Sequence, residues 1–218
     1  MATRQRGQAG QAFPIYIVMV AGLLFLAFAL FAVGQASAAR NGAQGAADAA
    51  ALAAAQEARE ELRVPFLQAL REPDGLNEFL GGAQNPGLGR EEADRLAARN
   101  RSEVTGFYWR QGFWQDRVTA RVKTLYTVGN SVLPSTKDRH ATASATAVVE
   151  FRCSLKTTPK PTDPRQGDGD EKDKDDSKGT PGPFEFTCDG RPVIIDLDSS
   201  DPLAELSKLI FAVHLIDD

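Results

Sequence analysis

Histidine and cysteine are scarce in this chain, two of each in 218 residues. His140 and His214 stand alone, and no second ligand type lies near Cys153 or Cys188 at zinc-site spacing, so the usual zinc motifs are excluded. Each histidine reads as an ordinary surface or half-buried residue. Strong charge of either sign is lacking as well. A formal net charge of -4 with scattered basic residues leaves no electrostatic footprint for nucleic acid. Nucleophile elbows, Walker loops, zinc pairs and paired carboxylates in a credible pocket are absent, and the glycines cluster in turns rather than phosphate loops. The sequence predicts a protein that is not an enzyme and uses no metal or cofactor.

One further absence is local. Between Arg6 and Arg40 there is no charged side chain, and the run from Phe13 to Val33 is almost wholly apolar. At about 1.5 Å per residue that run reaches about 30 Å, the thickness of a bilayer core. Pro14 falls in the first turn, where its missing N–H matters least, and Tyr16 sits where an interfacial ring is favourable. Arg4 and Arg6 precede the span, and few basic residues follow it closely. The positive-inside rule then predicts a single-pass cell-membrane protein with a cytoplasmic leader over residues 1–11, a transmembrane helix over 12–36 and an extracytoplasmic remainder. Ala36-Ser37-Ala38 also satisfies a signal-peptidase pattern, but the apolar run exceeds the roughly 7–15 residues of an ordinary signal sequence, which favours the anchor.

Residues 43 to 58 hold ten alanines in sixteen positions and no proline. Alanine has the highest helix propensity, so the helix is predicted to continue as a stalk over residues 37–64, with a stop or kink at Val64-Pro65. Alanine buries little surface, and an exposed polyalanine helix gains stability chiefly by close approach to another helix. Gly34, Ala38, Gly42, Gly45, Ala46, Ala49 and Ala50 lie along this helix, several of them at spacings of three or four. They are the candidate helix-packing residues; a passive spacer would be the plainer role.

Farther on, residues 91–100 read as a short helix, acidic in its first turn and basic in its last. Phe107, Tyr108, Trp109, Phe113 and Trp114 follow and are expected to form core, with a partner-binding patch or a membrane-surface contact as the lesser reading. Alternation from Val118 to Val128 and from Ala141 to Phe151 predicts two strands, presumed antiparallel, the second with an alanine face against which the stalk or a C-terminal helix should pack. Continued into Cys153, and matched by Phe184, Phe186 and Cys188, the same alternation turns both thiols inward, so a Cys153–Cys188 disulfide is expected on an oxidising side. Asp189-Gly190 signals a hairpin, and Asp201-Pro202 with Leu203, Leu206, Ile210 and Val213 predicts a final amphipathic helix. Residues 157–183, rich in Pro, Asp, Lys and Gly, read as a disordered loop; Lys172 breaks the calcium-loop spacing among their carboxylates. The predicted fold is α+β: the long helix and stalk, then a small antiparallel sheet domain in two parts, 65–156 and 184–218, with a helix at its end.

The segment Ala39-Arg40-Asn41-Gly42-Ala43-Gln44-Gly45-Ala46-Ala47-Asp48-Ala49-Ala50-Ala51-Leu52-Ala53, following a short basic leader and a long apolar run, resembles the TadE/TadG-like proteins of the tight-adherence (Flp pilus) assembly system. That resemblance covers about a quarter of the chain. It implies a pilin-like, structural component of a pilus-assembly system whose partners are the lipid bilayer and other pilin-like subunits, with oligomerisation through the N-terminal helix. Related prepilin-type proteins are cut after a glycine, which makes Gly10 and Gln11 the candidate processing site. A cut there would put Ile15 and Tyr16 at the fifth and sixth mature positions, supplying the aromatic but not the glutamate of that pattern.

Overall fold

The computed structural model describes residues 12–82, 89–129, 138–157, 183–197 and 206–217. Its first element, α1 (Ala12–Glu61), is one unbroken helix of 50 residues that contains both the apolar run and the alanine stalk. It ends at Glu61, just before the expected break at Val64-Pro65. Pro65 has no N–H to offer the carbonyl one turn back, so α1 gives way at Leu62 to α2 (Arg63–Ala69). The chain kinks rather than stops, because Leu62 N–H still donates to Ala58 (2.9 Å) and Phe66 N–H to Leu62 (3.0 Å).

Two short helices follow, α3 (Gly75–Gly81) and α4 (Arg90–Arg99). The strands are β1 (Ser102–Arg110), β2 (Gln115–Thr127), β3 (His140–Phe151), β4 (Cys153–Thr157), β5 (Phe184–Cys188) and β6 (Arg191–Ile195); a short helix α5 (Leu206–Ile210) leads into β7 (Phe211–Ile216). All pairings are antiparallel. A four-stranded sheet has the order β1-β2-β3-β7 and a three-stranded sheet the order β4-β5-β6.

The register explains the core. Val118, Ala120 and Val122 of β2 lie opposite Ala147, Ala145 and Ala143 of β3, so one face of the larger sheet carries small side chains where it meets α1. Onto it α1 lays Ala43, Ala46, Ala47, Ala50, Ala51, Ala54, Ala55 and Ala58, every one with no exposed surface. Alanine against alanine lets backbones approach closely, and α4 closes the other side of α1 with Ala93 and Ala97. Gly89 shows how tight this is. At φ +72° it lies so close to the Ala54 backbone that no Cβ would fit.

At the far end of α1 the packing changes from small to aromatic. Phe66 of α2 is fully buried, with its ring centroid 5.7 Å from Phe79, 6.0 Å from Phe151, 5.9 Å from Phe186 and 5.9 Å from Phe211. It thereby joins α2, α3 and both sheets. Arg152, in the break between β3 and β4, makes a second junction: its guanidinium donates to the carbonyls of Lys208 (2.6 Å) and Leu209 (3.0 Å) at the end of α5 and pairs with Asp189 (2.8 Å).

The predicted Asp189-Gly190 hairpin is present, with φ of 49° and 78° as a two-residue turn between tight strands requires. The C-terminal segment differs from expectation. Among the described residues its helix spans Leu206–Ile210 and ends there, and Val213, assigned to the helical stripe, lies in β7 opposite Val149. Pairing with the otherwise open edge of β3 satisfies backbone groups that a longer helix would leave unused. β1 is the other departure: its polar start and the bulge between Val104 and Gly106 obscure the alternation in the sequence. Residues 158–182, most of the loop read as disordered, and Asp201-Pro202 lie outside the described residues.

Phe66→Ala is expected to destabilise the domain by about 3–5 kcal/mol, the usual range for deleting a buried ring. At about 2–4 °C per kcal/mol for a chain of this size, calorimetry should show a Tm fall of about 6–20 °C.

Candidate functional site

The surface that distinguishes this molecule is α1 itself, which passes through two environments. From Phe13 to Val33 its large apolar side chains are all more than half exposed, and no part of the domain covers them. It is the one helix among the described residues long and apolar enough to cross a membrane. From Ala39 onward one side of the same helix is buried in the domain. The two regimes meet at Gln35, whose side chain lies beside Gly129 at the end of β2.

The candidate packing residues divide between the two sides of the stalk. Ala46 and Ala50 face inward and are consumed by the chain's own sheet. Gly42 and Ala49 are half-buried, the former against the Tyr126 hydroxyl. Gly34, Ala38 and Gly45 face outward, and a Cβ at Gly34 or Gly45 would meet nothing within 4 Å. Much of the alanine stripe thus finds its partner intramolecularly, which sequence spacing alone does not distinguish from a partner in another chain. Gly10 and Gln11 lie outside the described residues.

Cys153 and Cys188 are directly opposed on β4 and β5 and form a disulfide, with Cα atoms 4.1 Å apart. Both are buried, as their inward register predicts. The bond clips the smaller sheet at the end of α1 remote from the apolar run.

The aromatic group separates. Phe107 and Trp109 lie opposite Ala120 and Val118 and pack against the core, with the Arg90 guanidinium 5.2 Å from the Phe107 ring centroid. Tyr108 points to the opposite face, and Phe113 and Trp114 are exposed at the β1–β2 turn, so the expectation of a single aromatic core is corrected. Strand alternation forces the first division and the turn the second. Trp114, at φ +71°, rests on Phe151 with ring centroids 5.4 Å apart, and its carbonyl accepts the Phe151 N–H at 2.8 Å. Beside it a groove of about 230 Å³ is lined by Leu70, Leu76, Leu80, Phe151 and Phe184.

Electrostatics are mild. Burial pushes the Asp116 carboxyl up, although the Gly112 N–H opposes this. At the top of α1 burial also raises Glu61, helped by Glu57 and Glu91. Burial acts the same way on Glu60, but hydrogen bonds from Ser207 (2.6 Å) and Arg59 (3.0 Å) outweigh it and hold that carboxyl below its ordinary value. The Glu60–Ser207 bond ties the C-terminal segment to the stalk. Among the described residues no three His, Cys, Asp or Glu side chains are grouped to hold a metal ion.

These features place a single exposed apolar span on the same rigid helix as a domain-buried alanine stripe. The family model described as Flp pilus-assembly TadE/G-like matches residues 10–57, a segment that α1 covers almost completely. Over this segment the chain is TadE/TadG-like. No curated protein and no solved structure matches the chain. The family match supports a pilus-assembly-related protein, and its matched segment supplies both the one helix among the described residues long and apolar enough to cross a membrane and the spine of the domain.

Two variants separate the sides of the TadE/TadG-like helix. Ala50→Leu overpacks the seam and is expected to lose about 1–3 kcal/mol, whereas Gly45→Leu meets open space and should hold or raise stability by up to about 1 kcal/mol by removing a mid-helix glycine. Thermal melts of the two proteins in one detergent check this. Replacing both Cys153 and Cys188 by Ser should lower stability by about 3–4 kcal/mol, the loop-closure value for a sequence separation of 35. Equilibrium unfolding in urea measures it.

Proposed function

We propose that this protein is a membrane-anchored minor pilin-like or pilus-assembly component of a tight-adherence system, structural rather than catalytic. Its leader is cytoplasmic and its domain extracytoplasmic, as the arginines before the span and the disulfide beyond it both favour. The observation that carries the reading is α1: an uninterrupted helix within the TadE/TadG-like match, bare along its apolar half and fused through its alanine half to a compact domain. Lipid covers the bare half first. Neighbouring helices of other subunits then replace it, and the outward small residues Gly34, Ala38 and Gly45 allow close approach where the stalk leaves the membrane.

A second reading draws on Phe113 and Trp114. Two exposed aromatics beside an apolar groove, at the end of α1 farthest from the span, suit an envelope-anchored binding or scaffold protein unrelated to pili.

The combined variant Gly34→Leu, Ala38→Leu, Gly45→Leu separates the two. In the pilus-assembly reading it should abolish surface filament formation, or co-purification with pilus subunits, while the Tm does not fall below that of wild type because these positions face outward and two mid-helix glycines are removed. Undiminished assembly would overturn that reading, and if Phe113→Ala with Trp114→Ala then abolishes capture of a non-pilus envelope partner while pilus assembly is unaffected, the second is favoured.

A further inference from the structure

Where the domain sits along α1 determines what its lower edge touches. The apolar run ends at Val33, and Gly129 at the end of β2 lies beside Gln35, only two residues farther on. A bilayer's headgroup layer is about 5–7 Å thick on each side, which at about 1.5 Å of helix rise corresponds to about four residues beyond the apolar core. The β2–β3 end of the sheet is therefore level with the headgroups. Tyr126, against Gly42, stands about one to two turns higher.

The chemistry of this rim matches that position. Arg40 on α1, Arg101 before β1 and Arg139 before β3 are all exposed, and among the described residues no carboxylate pairs with any of them. Arg139 lies at the lowest level, its carbonyl accepting the Val128 N–H at 2.9 Å. Arg101 is stacked over the Tyr126 ring, 4.9 Å from its centroid, and its carbonyl accepts the N–H of Leu125, a leucine 60% exposed. The acidic groups near this edge are Asp138, adjacent to Arg139, and Glu103, already paired with Lys123. Arg139 is thus at headgroup depth, and Arg40 and Arg101 with Tyr126 stand about one to two turns above it, within the reach of a long arginine side chain; cationic groups with an aromatic and an exposed leucine beside a bilayer are what an interfacial contact surface needs.

We propose that this rim is a phospholipid-docking surface, in which Arg40, Arg101 and Arg139 contact the phosphates of anionic lipids in the leaflet that α1 enters. The docking holds the domain down on the membrane at a fixed height and rotation. It rests on the membrane-anchor part of the proposed function but not on the pilus part.

The test uses the full-length chain in nanodiscs of phosphatidylcholine with a minority of phosphatidylglycerol, and native mass spectrometry of the lipids retained on ejection. Wild type should retain phosphatidylglycerol enriched at least about fivefold over its share of the disc, the factor that one arginine near an anionic surface provides. Arg40→Gln, Arg101→Gln, Arg139→Gln together should bring the enrichment close to unity with the Tm held within a few degrees. Arg4 and Arg6 remain in the variant, so enrichment that persists belongs to the leader and overturns the proposal. Wild type without enrichment overturns it too, as does a variant whose only change is in self-association. Failure of the chain to insert into the discs would instead overturn the membrane-anchor reading, and is recognised by the absence of any lipid-bound species.

Discussion

Everything in this molecule is arranged around the close contact between the alanine stripe of α1 and the small-residue face of β2 and β3. Alanine at positions 43, 46, 50 and 54 of the helix meets alanine at 145 and 147 and valine at 118 and 122 of the sheet. No side chain here has conformational freedom worth mentioning, so burial brings little rotamer entropy loss and the gain comes from packing density. The arrangement tolerates almost no change in size. It also fixes the helix against the sheet along the whole stalk, so the domain and the second half of α1 behave as one body.

The sequence makes α1 legible in full, because an uncharged run followed by an alanine tract without proline leaves no alternative to helix. β2 and β3 are equally plain from strict alternation, and the disulfide follows from extending that alternation through Cys153. The β1 strand is hidden by Gly106 and its bulge, and β7 by a sequence, Phe211–Ile216, whose apolar residues fit a helical period as well as a strand. Its choice is made by the open edge of β3, a tertiary fact. The same holds for the stalk. Alanines 46 and 50 have no feature that separates packing on the chain's own sheet from packing on a neighbour, and only the fold shows that the inward side is already taken while Gly34, Ala38 and Gly45 remain outside.

The two ends of the domain lie at different distances along α1 from its apolar run, and they are chemically different. Near Gln35 the edge carries arginines, Tyr126 and Leu125. Near Leu62 it carries Phe113, Trp114 and an apolar groove, stabilised from within by the Phe66 ring cluster and clipped by Cys153–Cys188. A charged or phosphate-bearing surface suits the first end and an apolar partner the second.

Rigidity joins these ends. No proline lies between Pro14 and Pro65, and the α1 hydrogen-bond ladder runs unbroken from the span to the top of the stalk. A lateral load applied at the aromatic end therefore reaches the apolar segment as rotation or tilt of one rod, not as bending at a joint. The glycines of the stalk do not act as hinges, since Gly42 is held against Tyr126 and Gly45 sits in a turn whose opposite side is buried alanine. A rod built this way passes its orientation directly to whatever its outer domain contacts, the mechanical property that the proposed assembly through α1 requires.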